Sequence, residues 1–450
     1  RRTDAFLNKE FHKKQNFFSF SDIDSERKDR IMKFTSTEAT PAPHVPPGVL
    51  RLTGAAKEDI PMYRIQTMNK ISPVGLNRFP SELYEVGDAV QDPQGILVRS
   101  AKLLDLEFNP SLLAIARAGV GVNNIPLDRC AAAGIPVFST PGANANAVKE
   151  LVICAMLMGS RDIPGAIRWV REQAASGVDV STVVEKGKSA FIGPELYKKT
   201  LGIIGLGAIG SIVANTAISL GMDVYGYDPF LSVDTALRLD RHVHVVKDIN
   251  DLYKRSDYIT MHIHYTEKTA RMIDASAIAA MKRGVRVINL ARGEIVDDEA
   301  MLTALDTGMV AAYITDFPNN RLLTAPHVIA MPHLGASTPE SEQNCAAMAV
   351  DTLRDYLESG NIRSSVNLPE MTMDRSGVQR LCVLHKNVPG MLANITSLFG
   401  RDGVNVENLS NKSRGDYAYT MVDLGSKVGD NVIEDVRRTA NVIRVRSLEW

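Results

Sequence analysis

Leu201-Gly202-Ile203-Ile204-Gly205-Leu206-Gly207-Ala208-Ile209-Gly210 carries an apolar strand straight into a G-x-G-x-x-G loop, and a helical stretch, Ser211 to Leu220, follows. Gly205 permits a tight turn, Gly207 lets backbone approach a pyrophosphate, and Gly210 lets helix and strand pack closely. The helix start offers unpaired N–H groups and the positive end of its dipole to an anion. Alone, the hexapeptide would equally suit a packing turn; its place between strand and helix makes it a dinucleotide fingerprint. The next strand, Met222 to Tyr227, runs into Asp228, 18 residues after Gly210. A carboxylate there accepts from a ribose 2′-hydroxyl and repels a 2′-phosphate, and Pro229 and Phe230 follow without an adjacent Arg. The reading is NAD rather than NADP, held by Gly205, Leu206, Gly207, Ala208, Ile209, Gly210 and Asp228.

Working outward, short apolar strands alternate with helical stretches from Tyr63 onward, as in Gly95 to Val98, Ala114 to Ala118 and Ile135 to Phe138, and again from Leu201 to Leu290. Such alternation marks βαβ units and parallel sheets. Two doubly wound α/β domains are expected. After Pro369 the chain turns polar, and a new series begins at Arg380: a strand, a helix (Met391 to Phe399), strands (Val404 to Leu409 and Tyr417 to Leu424), a helix (Asn431 to Thr439) and a strand (Val442 to Leu448). That order is the βαββαβ pattern of a ferredoxin-like fold. Residues 1–61 read as an appendage of unknown role, charged through Lys33 and then Pro-rich from Pro41 to Pro47.

Bulk properties exclude several classes. A chain of 450 residues exceeds what one hydrophobic core usually supports. A net charge of -1 gives no global attraction to nucleic acid or anionic lipid, so an anionic substrate needs a local cluster of cations. Cys130, Cys154, Cys345 and Cys382 stand far apart, with no C-x-x-C pair and no His at zinc-ligand spacing, which reads as reduced thiols in the cytoplasm and no metal site. No apolar run approaches the roughly 18 residues of a membrane span, and the start lacks a secretory apolar region.

Chemistry is expected at two strand ends. Asn289-Leu290-Ala291-Arg292-Gly293 ends one strand, at the edge where open α/β sheets bind ligands, and an Arg there can fork onto a carboxylate. Met331-Pro332-His333-Leu334-Gly335-Ala336-Ser337-Thr338 ends another and leads into a helix with Thr338 as N-cap and Pro339 at its first position. A lone His is more often structural, but its company with Arg292 and the fingerprint favours catalysis.

From Tyr63 to about Leu368 these pieces resemble the D-2-hydroxyacid dehydrogenase family. The resemblance implies a discontinuous substrate-binding domain (63–154 and 335–370) with an inserted NAD-binding domain (155–334). It implies that Arg292 binds the substrate's carboxylate and carbonyl, that His333 exchanges the hydroxyl proton, and that Asp316 in Thr315-Asp316-Phe317-Pro318 meets the nicotinamide amide. The family's substrate loops match Leu97 to Lys102 and Ala118 to Asn123, pointing to Arg99, Ser100 and Gly121. Asn144 and Asn146 read equally as helix caps or site lining, and Lys102 and Lys149 as phosphate contacts or a solvated face. One departure stands out. The family pairs its His with a Glu shortly after the Asp, whereas here Asn320, or with one gap fewer Arg321, occupies that place. A missing opposite charge is worth roughly 1 to 3 pKa units, so a less basic His333 is expected, with Asn320 left to orient the ring.

Residues 378–450 resemble the ACT modules of phosphoglycerate dehydrogenases through His385-Lys386-Asn387-Val388-Pro389-Gly390-Met391-Leu392 and Gly403-Val404-Asn405. The resemblance implies a serine effector held by His385, Asn387 and Asn405, D-3-phosphoglycerate as substrate, and a homodimer or homotetramer. The rival expectations are another D-2-hydroxyacid dehydrogenase, of the glyoxylate or hydroxypyruvate reductase type, and an NAD-binding corepressor or scaffold.

Overall fold

Strands covered by helices on both faces have no wet side, so the centres of the parallel sheets are short runs of apolar residues. The structure, a computed structural model, describes residues 62–450; the expected N-terminal extension, 1–61, lies outside the described residues. The first sheet contains β1 (Tyr63–Thr67), β2 (Tyr84–Gly87), β3 (Gly95–Val98), β4 (Ala114–Arg117) and β5 (Val137–Phe138), all parallel in the order β2-β1-β3-β4-β5. The second contains β6 (Thr200–Ile204), β7 (Asp223–Tyr227), β8 (Val243–Val245), β9 (Tyr258–Met261), β10 (Val285–Asn289), β11 (Val310–Thr315) and β12 (Val328–Ala330). Its order is β12-β11-β10-β9-β6-β7-β8, again all parallel. Strand order reverses between β6 and β9, and the crevice above the carboxyl ends of such a switch point is where open α/β sheets take ligands.

Two long helices tie these sheets together. The Ala145–Arg161 helix runs unbroken through residues 154 and 155, where a domain boundary was expected; its Val148, Val152, Ala155 and Met156 are buried among Leu201, Ile203, Ile288 and Ile314 of the second sheet. The Pro339–Ser359 helix returns to the first sheet and buries Ala346, Ala349, Val350 and Leu353 with Ile65, Leu97, Ala114 and Ala116. Thr338 caps it as expected, its hydroxyl accepting from Ser341 N at 3.1 Å, with Pro339 in the first turn.

The third sheet is antiparallel: β13 (Gln379–Lys386), β14 (Val406–Arg414), β15 (Tyr417–Leu424) and β16 (Val442–Glu449), in the order β14-β15-β13-β16. The Met391–Arg401 and Asp430–Arg438 helices cover one face. Cys382, Leu384, Tyr419, Met421 and Leu448 press the other into the first sheet's core. Here the ferredoxin-like module closes off the end of the Pro339–Ser359 helix. The last carbonyls of a helix have no partner within it. Arg446 donates to Tyr356 O (3.0 Å) and Leu357 O (2.8 Å), Arg375 to Glu358 O (3.0 Å), Arg380 to Ser359 O (2.8 Å) and Tyr419 to Gly360 O (2.7 Å). Arg380 is fully buried and grips Asp423 with two parallel bonds of 2.6 and 2.7 Å, its remaining donors going to Met373 O and Asp374 O. Among the described residues no helix is long and apolar enough to cross a membrane.

Candidate active site

The glycine loop has the geometry its spacing implies. Gly205 has φ +90°, and a Cβ there would lie 2.6 Å from His262 O; a Cβ on Gly210 would lie 1.9 Å from Gly205 O. At Gly207 a Cβ would meet nothing within 4 Å, so the space in front of it is open. Gly207 heads the Ala208–Ser219 helix without a side-chain cap, leaving the amides of Ala208 and Ile209 in its first turn. Asp228 leaves β7 beside this loop: one carboxylate oxygen accepts from Leu206 N and the other from Phe230 N, both at 2.9 Å.

Asp316, just past β11, is completely buried. Its Oδ2 accepts from Gly335 N at 3.1 Å, whereas its Oδ1 has no partner among the described residues. Burial pushes this carboxyl up, opposed by the N–H of Gly335 and the nearby His333. A buried acceptor without a donor calls for an external one. The open cradle at Gly207 and the orphaned Oδ1 of Asp316 therefore fit a dinucleotide with a terminal amide.

Arg292 sits on the turn after β10, held by the buried Asn289, whose amide donates to Arg292 O at 2.9 Å and whose carbonyl accepts from Ala291 N at 3.2 Å. The Phe317 ring centre is 6.0 Å from the Arg292 guanidinium carbon and 4.7 Å from the His333 ring centre, standing against both groups. His333 is exposed on its loop and faces a cleft of ≈ 970 Å³ shared with Tyr265, Arg271, Asp297, Phe317 and Arg321. The expected help from position 320 is not there: Asn320 is exposed, and among the described residues no hydrogen bond joins it to His333. Neighbouring Asn319 turns the loop instead, accepting from Arg321 N and Leu322 N at 3.1 Å and donating to Asp298 at 2.7 Å, which leaves Asn320 at the tip. Arg321 pairs with Glu299 at 2.8 Å.

The substrate loops converge on Arg292 through a residue that the motifs did not single out. Arg117, at the end of β4, donates to Arg99 O at 3.0 Å; a Cβ on Gly121 would lie 3.2 Å from Arg292 Nη2 and 3.7 Å from Arg117 Nη1. Burial pushes the Arg117 guanidinium down, and the charges of Arg292 and Arg99 push it further. The available signal was an Arg closing the buried run Ala114-Ile115-Ala116, where a charge has no packing role. Asn69 Oδ1 pins the Arg99 loop, accepting from the backbone N of Arg99 (3.4 Å), Ser100 (3.1 Å) and Ala101 (2.7 Å). Asn144 stands at a helix N-cap position but makes no capping bond, and its Oδ1 is buried without a partner among the described residues. Asn146 donates to Glu150 at 2.9 Å, Lys149 lies 3.8 Å from Glu150, and Lys102 is exposed.

The three positions expected to hold an effector do not form one site within the chain. His385 is buried, one ring nitrogen 2.8 Å from Lys386 O and the other 2.8 Å from Thr420 Oγ1. Asn387 donates to Gly415 O at 3.1 Å, at the sheet end where Lys386 faces Tyr417. Asn405 donates to Glu407 at 2.9 Å, beyond the opposite end where Gln379 faces Leu424. Strands of eight residues separate these ends.

Residues 153–335 match the family described as "D-isomer specific 2-hydroxyacid dehydrogenase, NAD binding domain". The chain is 36% identical over 326 residues to the D-3-phosphoglycerate dehydrogenase of Synechocystis sp., covering 70% of this chain and 56% of that protein. It therefore spans little more than half the length of that relative. With the D-3-phosphoglycerate dehydrogenase of Haemophilus influenzae it is 31% identical over 379 residues, covering 81% of this chain and 88% of the relative. Among solved structures, NAD+-bound 3-phosphoglycerate dehydrogenase of Entamoeba histolytica aligns with a TM-score of 0.53 at 26% identity, over 68% of this chain and 99% of that one.

Proposed function

Since this chain belongs to the D-isomer specific 2-hydroxyacid dehydrogenase family, we propose that it oxidises D-3-phosphoglycerate to 3-phosphohydroxypyruvate with NAD, the step that opens L-serine biosynthesis. The observation that carries this reading is the group of Arg99, Arg117 and Arg292 beside the dinucleotide crevice. Three guanidinium groups are more than a simple monocarboxylate needs, and they suit a substrate with a carboxylate at one end and a phosphate at the other.

In this reading residues 63–154 and 335–370 bind substrate, 155–334 bind NAD, and 378–450 regulate. NAD, when bound, supplies the hydride acceptor. Gly205, Leu206, Gly207, Ala208, Ile209 and Gly210 present backbone to its pyrophosphate, Asp228 accepts from its ribose, and Asp316 Oδ1 accepts from its amide. Arg292 holds the substrate carboxylate and draws charge towards the developing carbonyl oxygen, with Gly121 close beside it. Arg99 and Ser100 meet the phosphate end with Arg117. His333 takes the C2 hydroxyl proton as the C2 hydrogen departs as hydride. Phe317, 4.7 Å from the His333 ring centre, is the side chain against which the imidazole rests, since Asn320 makes no hydrogen bond to it among the described residues.

Serine regulation belongs to the same reading. The Pro339–Ser359 helix begins beside the His333 loop and ends under side chains of the C-terminal module, giving an effector there a rigid element to act on. His385, Asn387 and Asn405 hold serine once a second copy brings opposite ends of two modules together, hence a homodimer or homotetramer. The unpaired cysteines, with Cys130, Cys345 and Cys382 buried, go with a cytoplasmic setting. The test is NADH formation from D-3-phosphoglycerate, with and without serine. His333→Ala is expected to lower kcat by about 10² to 10⁴. Turnover of glyoxylate or hydroxypyruvate with none of 3-phosphoglycerate replaces the substrate assignment with that of a reductase.

A further inference from the structure

Arg99 is not free in the arginine cluster. Its Nη2 lies 2.5 Å from Oε1 of Glu342, in the first turn of the Pro339–Ser359 helix. Arg117 and Arg292, further in, donate among the described residues only to main-chain carbonyls, those of Arg99 and Ala291. One helix thus delivers a carboxylate to the outermost of three cations, and this carboxylate shares the mouth of the cluster with any substrate phosphate. Both side chains are a little under half exposed, at 44% and 45%, so the pair is within reach of solvent and of an incoming ligand.

We infer that Glu342 is a specificity-setting residue that competes with the substrate's phosphate for Arg99. The inference rests on the phosphoglycerate reading above. A phosphomonoester carries about 1.5 to 2 negative charges near neutral pH. Together with the substrate carboxylate this roughly matches three guanidinium groups. Glu342 removes one of those charges from the resting site, so a phosphorylated acid must break the Arg99–Glu342 bridge or bind beside a like charge. An acid of the same carbon skeleton lacking the phosphate does neither. Glu342 therefore lowers the preference for the phosphorylated substrate and restrains occupation of the site by inorganic phosphate. It is a positioning residue, acting through Arg99 rather than on the reacting carbon.

The experiment compares full-length wild type with Glu342→Gln, which keeps shape and removes charge, and Glu342→Asp, which keeps charge. The first readout is the ratio of kcat/KM for D-3-phosphoglycerate to that for D-glycerate; the second is the inhibition constant of inorganic phosphate against whichever acid is turned over. Glu342→Gln is expected to raise the ratio about threefold to fivefold, the scale of an exposed ion pair, and to strengthen phosphate inhibition by a similar factor. Glu342→Asp stays near wild type. A ratio and an inhibition constant that both stay put in Glu342→Gln reduce the bridge to a surface ion pair and overturn the inference. If wild type oxidises D-glycerate or another 2-hydroxy acid but not 3-phosphoglycerate, the proposed substrate fails, and the phosphate inhibition constant alone then decides the role of Glu342.

Discussion

Two sets of arginines belong to the two ends of one helix, and they are used in opposite ways. Past the C-terminal end of Pro339–Ser359, Arg380 and Arg446 spend their donors on protein: Arg380 on Asp423 and three carbonyls, Arg446 on Tyr356 O and Leu357 O. Near the N-terminal end, Arg99, Arg117 and Arg292 have donors to spare, and burial with like charges makes Arg117 harder to keep protonated. A buried charge whose donors are used on protein holds a fold together; converging charges, of which Arg99 alone has a carboxylate partner among the described residues, are tolerated where a ligand supplies the missing anion. Arg380 and Arg446 are buried, whereas Arg117 and Arg292 are half-buried and Arg99 is exposed, so burial and the use of donors together separate the structural from the functional arginines.

The comparison can be broken at either end. The largest effect is expected at Asp423: Asp423→Ala strands the fully buried Arg380 and should lower stability by about 3 to 5 kcal/mol in urea unfolding, with KM for substrate little changed in the folded fraction. Arg292→Gln should do the reverse, leaving the unfolding midpoint in place and cutting kcat/KM by roughly 10² to 10³, as when a preorganised donor to a developing oxyanion is removed. Arg117→Gln should cost about 1.5 to 3 kcal/mol of substrate binding, the value of a hydrogen bond to a charged group, while raising apo stability because a like charge is gone. If Arg117→Gln unfolds the protein as Asp423→Ala does, donor satisfaction is the wrong criterion.

Smaller effects sharpen the contrast at the glycine loop. Gly207→Ala points a methyl group into open space, so apo stability should hold while NAD binding, read by fluorescence titration, weakens by about 1 to 3 kcal/mol of overpacking. Gly210→Ala drives a methyl group into Gly205 O and should lose stability even without cofactor. The smallest effect is a pH slope. Burial pushes His262, at the end of β9, from 6.5 down to about 4. The unfolded chain takes up that proton first, so stability is complete above pH 6.5 and drains away as pH falls towards 4. Melting curves of His262→Asn should show a shallower decline over that window.

How much of this was legible in the chain depended on whether the signal was local. The glycine loop, Asp228, and the Thr338 cap with Pro339 obey offsets of a few residues, and each lies where those offsets place it. β14 runs on to Arg414, past the expected end at Leu409, because it is an edge strand whose Asn411, Lys412, Ser413 and Arg414 face solvent and carry no apolar alternation. The long helix through residues 154 and 155 hides a boundary because one apolar stripe is continuous along it while the sheets exchange at its start. At position 320 the family offset does not carry over: Asn319 bonds the turn, and Asn320 is exposed without a hydrogen bond to His333 among the described residues.

By itself the sequence determined the fold class, the order of its three sheets, the glycine loop and the two strand ends that carry Arg292 and His333, because hydrophobic period and glycine offsets act over a few residues. Only the tertiary structure decided that Arg117 joins Arg99 and Arg292, that Glu342 reaches Arg99 across 243 residues of chain, and that the C-terminal sheet caps the helix starting beside His333. Those relations depend on which strand ends become neighbours, and a charged side chain carries no mark in the sequence of the partner it will meet.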